Sequence, residues 1–262
     1  MLLVVDIGNT NITLGVYDRQ QLVGTYRLTT SSKRTSDEYG FMIMNFLQRF
    51  NLERTAIEDV VIASVVPKIM HSFTNAIRRY LLVEPLIVSF ELKTGLTIDF
   101  ENPHEVGADR IVDAIGAHEL YKGDLLVIDF GTATTFELIT SDGTYHGGCI
   151  CPGVEIMSQA LSSNTAKLPE IEIKPVANVI AKNTSVAMQA GVYFGYIGLV
   201  EKIIRQFKEE TKRELKVIAT GGLGRMIYEN SSLIDIYNRD LTFEGLRLIY
   251  EMNKEMRKIC KQ

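Results

Sequence analysis

Leu2-Leu3-Val4-Val5-Asp6-Ile7-Gly8 and Leu125-Leu126-Val127-Ile128-Asp129-Phe130-Gly131 read almost letter for letter alike. Each is an apolar run ending in Asp-x-Gly, and each leads into a Thr-rich turn, a second β-prone run and a polar turn. The two copies start 123 residues apart, close to half of the 262-residue chain. Strand meanders followed by alternating strands and helices predict two α/β halves with mixed sheets. Each half would present one carboxylate and one glycine turn to a shared cleft, an arrangement suited to a metal-bound polyphosphate.

Working outward from the first copy, Leu2–Asp6, Asn11–Tyr17 and Leu22–Leu28 read as three strands. Thr35-x-x-Glu38 is a capping-box pattern that opens a helix carrying Tyr39, Met42, Ile43, Phe46 and Phe50. Val60–Val65 reads as a buried strand, Ile69 to Tyr80 as a helix, Leu86–Ser89 as a strand and 107–121 as a helix. From the second copy, strands are expected at Leu125–Asp129, Thr134–Ile139, Tyr145–Ile150 and Val217–Thr220. Helices are expected near 153–162, 184–211 and Thr242–Lys258, with irregular chain over 164–182. The expected domains are 1–118 and 119–262, with a hinge near 118–124.

Bulk properties exclude several classes. The net charge is −4, from 28 basic and 32 acidic residues, with 46% apolar residues. No basic face or long like-charge run points to nucleic acid or to a membrane surface. Five apolar residues before Asp6 are too few for a signal-peptide core, and nothing approaches the roughly 18 apolar residues of a membrane span. Cys149, Cys151 and Cys260 are too few and scattered for a disulfide framework, which favours a cytoplasmic setting. Cys149-Ile150-Cys151 is a weak metal pattern without a second ligand pair.

The glycine turns carry the chemistry. In Asp6-Ile7-Gly8-Asn9-Thr10, backbone amides and the Asn9 and Thr10 side chains can donate to phosphate oxygens. Asp6 would face Mg²⁺, directly or through water. A plain hairpin with Asp capping its own turn would show the same letters, but the copy at Asp129-Phe130-Gly131-Thr132 makes two accidents harder to accept. Val217 to Gly224 adds a strand, then Gly221-Gly222, where a bare backbone could lie against adenine or its ribose. Neither a P-loop nor a dinucleotide fingerprint is present, and Asp129-Phe130-Gly131 lacks the companion motifs of protein kinases.

The acceptor side is Phe100 to Arg110, which leads into an apolar helix. Asp109 at the helix start could take a proton from an attacking hydroxyl, and Arg110 could hold a carboxylate or steady a phosphoryl group. An Asp favoured there by the helix dipole is the plainer alternative. His104 and His118 lie fourteen residues apart with no helical pairing, a poor metal pair. Asn183-Thr184-Ser185 opens the long helix with capping chemistry, and its hydroxyls could meet a ligand.

Over its whole length the chain resembles the type III pantothenate kinases of the acetate and sugar kinase and actin-like ATPase superfamily. The likeness rests on DIGNTNI at 6–12, NPHEVGADR at 102–110, DFGTATT at 129–135, GGCICPG at 147–153, NTSVAMQAG at 183–191 and ATGGLG at 219–224. The resemblance implies two duplicated ribonuclease-H-like domains and a homodimer. It also implies ATP-dependent phosphorylation of the pantothenate 4′-hydroxyl, the first step towards coenzyme A. By position, Asp6, Ile7, Gly8, Asn9, Thr10, Asn11, Ile12 and Thr13 would form the phosphate loop, and Thr132 would contact ATP. Asp109 would accept the proton, with Phe100, Gly107, Ala108 and Arg110 lining the pantothenate pocket. Asp129 would bind a monovalent cation, K⁺ or NH₄⁺, and Thr184 would reach pantothenate from the neighbouring subunit. A kinase of another small hydroxy acid, a regulatory relative acting in transcription and an actin-like ATPase are the alternatives.

Overall fold

The computed structural model describes the backbone of residues 1–260 and the side chains of residues 1–255. Among them, the chain forms two compact units: 1–96 with 100–119 and the segment from Asp240 on, and 97–99 with 120–239.

The first unit holds β1 (Leu2–Ile7), β2 (Asn11–Asp18), β3 (Gln21–Thr29), β4 (Asp59–Ser64) and β5 (Leu86–Ile87), in the order β3-β2-β1-β4-β5. Its helices are α1 (Ser36–Arg49), α2 (Pro67–Ala76) and α3 (Ala108–Tyr121). β1 is central, antiparallel to β2 and parallel to β4. A central strand covered on both faces reads as an unbroken apolar run, which is why Leu2–Val5 shows no alternation. Leu3, Val5 and Ile7 pack with Tyr39, Phe46 and Phe73 of α1 and α2. The expected capping box opens α1: Glu38 N–H donates to Thr35 Oγ1 and Thr35 N–H to Glu38 Oε2.

The second unit repeats the plan. Its strands are β6 (Thr97–Ile98), β7 (Leu125–Phe130), β8 (Ala133–Ile139), β9 (Thr144–Pro152), β10 (Lys216–Thr220) and β11 (Ile236–Tyr237), in the order β11-β10-β7-β8-β9-β6. β7 is antiparallel to β8 and parallel to β10, as β1 is to β2 and β4. The duplication read from fourteen letters is therefore a duplication of topology, with β6 added at one edge. Helices α4 (Val154–Ser163), α5 (Thr184–Thr211) and α6 (Gly224–Tyr228) belong to this unit. Leu126, Ile128 and Phe130 pack with Val192, Tyr196, Val200 and Ile204 of α5. Residues 164–182 carry no helix or strand.

Three expectations differ from the structure. The expected 119–262 half does not keep its last helix, α7 (Leu241–Cys260), which belongs with the first unit. There α7 buries Leu241, Leu246 and Ile249, and Tyr250 donates to Asp59 of β4. The helix expected through Tyr80 ends at Ala76 and continues as one π-helical turn, Ile77–Leu81, closed by left-handed Leu82 at φ 60°. The strand expected at Leu86–Ser89 shrinks to two residues. No described helix is long and apolar enough to cross a membrane.

Candidate functional site

In the first unit, the candidate residues gather where the strands end. Asp6 sits next to last in β1, paired with Thr13 and Ala63. Gly8 N–H donates to the Asn11 carbonyl at 3.0 Å, closing a tight hairpin whose tip is Asn9 and Thr10, both exposed. Gly8 lies outside the left-handed region; its constraint is space, since a Cβ there would stand 3.2 Å from the Asn11 carbonyl oxygen. Ile7 and Ile12 are fully buried, so of the expected phosphate loop they can offer a ligand only backbone. Thr30, at the end of β3, clamps the turn: its hydroxyl donates to the Gly8 carbonyl at 2.6 Å and its N–H to the Thr10 carbonyl at 2.9 Å. Thr30 has no sequence signal of its own, because it lies twenty residues downstream and only the β1-β2-β3 meander brings it back.

The start of α3 reaches the same edge. Val65 N–H donates to the Ile7 carbonyl at 3.1 Å, and Val65 borders Gly107. The Asn102 side chain caps the short 3₁₀ turn Pro103–Glu105. Val106 is buried, and Ile111 N–H donates to the Gly107 carbonyl to start the helix. A Cβ on Gly107 would stand 2.5 Å from Asp109 Oδ1, so the glycine makes room for this carboxylate. Asp109 is half-buried, and burial pushes its pKa up from the ordinary carboxylate value. The Arg110 N–H, 2.8 Å from Asp109 Oδ1, and the Arg110 charge pull the other way without prevailing. The Arg110 guanidinium lies over the Phe100 ring, 5.9 Å from its centre. Ala108 supplies the first helical residue. The Asp6–Thr13 turn and Asp109 thus share the carboxyl end of one sheet, the usual ligand edge of α/β folds.

The second unit builds its own edge. Asp129 pairs in register with Thr135 and Thr220. Gly221 has φ +90°, and a Cβ there would meet Asp129 Oδ1 at 2.5 Å and the Phe130 carbonyl oxygen at 2.6 Å. Only glycine fits both the conformation and the gap. A Cβ on Gly153 would meet the Thr132 carbonyl at 2.4 Å and that of Gly131 at 2.6 Å. The Tyr237 hydroxyl donates to the Gly221 carbonyl at 2.9 Å, holding the turn whose next residue, Gly222, is exposed. Tyr237 lies on β11, a two-residue strand that sequence periodicity does not reveal. Thr132 is exposed at the turn tip.

Thr184 is not part of that turn. It opens α5 behind the Asn183 cap and lines an apolar groove of about 620 Å³. Ile156, Leu161, Ala187 and Met188 line the same groove, which reaches Pro152, the neighbour of Gly153. His104 packs edge-on against Phe90, and His118 Nδ1 is buried without a hydrogen-bond partner. The two do not pair, and among the described residues no group of three or more His, Cys, Asp or Glu could hold a metal. Cys149 and Cys151 pack against the core of the second unit, and burial raises both thiol pKa values, that of Cys151 to about 11.

The oxygen donors are of the type the two cations expected from the resemblance take. One carboxylate beside a glycine turn, as at Asp6, is compatible with Mg²⁺, which binds through one or two carboxylates plus substrate phosphates. Asp129 Oδ1 shares the space beside Gly221 with the Phe130 carbonyl oxygen, an oxygen pair of low charge that could belong to a monovalent ion's donor set.

Solved structures similar to this chain share its architecture. A Campylobacter jejuni protein named as a candidate Baf-family transcriptional activator is 20% identical, with TM-score 0.59, 97% of this chain covered and 99% of that one. A Sinorhizobium meliloti protein named as a candidate 2-dehydro-3-deoxygalactonokinase is 11% identical, with TM-score 0.59 and 96% of each chain covered. A Porphyromonas gingivalis protein named as a candidate N-acetylglucosamine kinase is 13% identical, with TM-score 0.50 and 97% and 100% covered. At these identities the likeness establishes the fold alone, two mixed sheets flanked by helices. The profile described as type III pantothenate kinase matches residues 2–206, most of the chain. The chain belongs to the type III pantothenate kinase family.

Proposed function

We propose that this kinase transfers the γ-phosphoryl group of ATP to the 4′-hydroxyl of pantothenate. The observation that carries the reading is Asp109. It is a half-buried carboxylate with a raised pKa, given room by Gly107 and set at the same sheet edge as the Asp6–Thr13 turn.

Phosphoryl transfer needs mainly positioning and charge neutralisation. Asp109 accepts the proton as the hydroxyl attacks, and its raised pKa makes it a better acceptor than an exposed carboxylate. Arg110 pairs with the pantothenate carboxylate, and Phe100 supports both the guanidinium and the alkyl chain. The Asn9 and Thr10 tip binds phosphate oxygens, and Asp6 orients Mg²⁺, which when bound neutralises phosphate charge. Asp129 holds K⁺ or NH₄⁺, Thr132 contacts ATP and the Gly221-Gly222 backbone lies against adenosine. The working form in this reading is a homodimer in which Thr184 of one subunit reaches the pantothenate of the other.

The test is a coupled assay of the purified protein with ATP, Mg²⁺ and K⁺, offering pantothenate beside a panel of other small hydroxy acids. Pantothenate should be turned over with the highest kcat/KM. A faster substrate in the panel would reassign the acceptor, and no turnover of any of them would overturn the kinase reading.

A further inference from the structure

Helix α7 lies outside the residues matched by the family profile, which end at 206. Within the first unit it crosses α3 backbone against backbone. A Cβ on Gly245 would stand 2.0 Å from the Val112 carbonyl oxygen, and one on Gly116 would stand 2.9 Å from the Leu241 carbonyl oxygen. At that crossing the Thr242 hydroxyl donates to Asp113 Oδ1 over 2.7 Å. Asp113 is 3% exposed and sits one helical turn beyond Asp109.

The other attachments of α7 are to the sheet. The Tyr17 hydroxyl of β2 donates to Glu244 at 3.0 Å, and the Tyr250 hydroxyl donates to Asp59 of β4 at 2.7 Å. β2 leads directly out of the phosphate turn, and β4 pairs with the strand that leads into it. One helix therefore grips both the element that carries Asp109 and the strands that carry the turn.

We propose that Thr242 and Gly245 are positioning residues: through α3 they set where Asp109 stands relative to the Asp6–Thr13 turn. A helix that merely covered the core would pack through large side chains, whose rotamers absorb small shifts. Glycine contacts combined with a hydroxyl–carboxyl bond fix both the depth and the register of the crossing. Register matters because misplacing a reacting group by about 1 Å can slow a reaction roughly 10²-fold. The inference rests on the phosphotransfer reading of Asp109.

Three variants test it, each assayed well below its own melting temperature. Thr242→Val should lower kcat about tenfold, with KM for ATP within about twofold, and Thr242→Ser should restore it. Gly245→Ala, whose new methyl must push α3 away, should lower kcat further, again with KM for ATP little changed. Amide exchange at residues 109–113 should speed up about tenfold in Thr242→Val and not in Thr242→Ser, as expected for losing one anchoring hydrogen bond. Wild-type kcat in folded Thr242→Val, a Ser variant no better than Val, or KM for ATP rising in step with the loss of kcat would each overturn the inference. If Gly245→Ala fails to fold, the Thr242 pair decides alone. If the wild type transfers no phosphoryl group, the functional reading falls. The exchange comparison then decides whether α7 holds the start of α3.

Discussion

The turns at Asp6 and Asp129 grow from strands that share five of seven letters and hold the same place in their sheets, yet different neighbours close on them. Around the first turn, carbonyls are tied up. Thr30 takes those of Gly8 and Thr10, and the Asn11 carbonyl takes Gly8 N–H. The tip, Asn9 and Thr10, is exposed. Around the second turn, the bare backbones of Gly221 and Gly153 close on the carbonyls of Phe130, Gly131 and Thr132, and the Thr132 carbonyl takes the Gly153 N–H at 3.1 Å. The first turn is clamped by a threonine from the end of a third strand, the second by glycine backbones from a strand end and a helix start. A strand and its turn are legible in seven letters; what closes on the turn is decided by residues delivered from elsewhere by the fold.

The largest expected effect lies with Asp109, the acceptor proposed above, which the first unit supplies. Asp109→Asn keeps the shape and should lower kcat by roughly 10²–10⁴-fold, the usual share of a general base. Wild-type turnover in that variant would remove the role. The same variant makes a stability prediction of known sign. Burial raises the pKa of Asp109 in the folded state, so the folded protein holds that proton more tightly than the unfolded chain. The resulting stabilisation is complete below the unfolded carboxylate pKa and is lost as pH rises through the folded value. At neutral pH the ionised group is a liability, so Asp109→Asn should melt at the same temperature or higher, the difference closing in acid. A variant that melts lower at neutral pH would contradict the burial of this carboxylate.

The glycines sharpen the comparison next. Gly221→Ala must hold an alanine at φ +90° with its methyl 2.5 Å from Asp129 Oδ1, and should destabilise by about 1–3 kcal/mol from strain alone. Gly8→Ala meets a single oxygen at 3.2 Å in an ordinary conformation. There the crowding and the entropy lost by the unfolded chain offset to within about 1 kcal/mol. Urea melts of both variants measure the difference, and equal losses would mean that the two turns are built alike after all.

A smaller effect concerns the cation. With K⁺ or NH₄⁺ the wild type should outpace the same reaction in Na⁺ or Tris buffer, and Asp129→Asn should narrow that gap. A variant that keeps the full ion preference would move the site elsewhere.

Much of this was legible before any coordinates. The β1-β2 and β7-β8 hairpins, the capping box at Thr35-Glu38 and the span of α5 follow from local pattern. Asp109 at the start of α3 follows from Gly107 and the apolar helix behind it. Three things stayed hidden for physical reasons. β6 and β11 are two residues long, too short for alternation to register. The return of α7 to the first unit depends on long-range partners such as Tyr17 and Asp59, 227 and 191 residues from Glu244 and Tyr250. The clamps on the two turns, Thr30 and Tyr237, each touch a backbone carbonyl, and a backbone carbonyl leaves no mark in sequence.

Thr30 offers the mildest way to break the contrast between the turns. Its hydroxyl makes one of three bonds that hold the first turn, and its N–H keeps the Thr10 carbonyl whatever the side chain is. Thr30→Val should therefore loosen the Gly8 end without unfolding the hairpin. Losing one such hydrogen bond, worth about 1 kcal/mol, corresponds to a rise of roughly fivefold in KM for ATP if the turn must be rigid to bind phosphate. Thr30→Ser keeps the hydroxyl and should stay near wild type. Turnover at saturating ATP should change little, because Asp109 is carried by α3 rather than by β3. A fall in kcat at unchanged KM would show instead that the Gly8 carbonyl, once released, disturbs the reacting groups and not nucleotide binding.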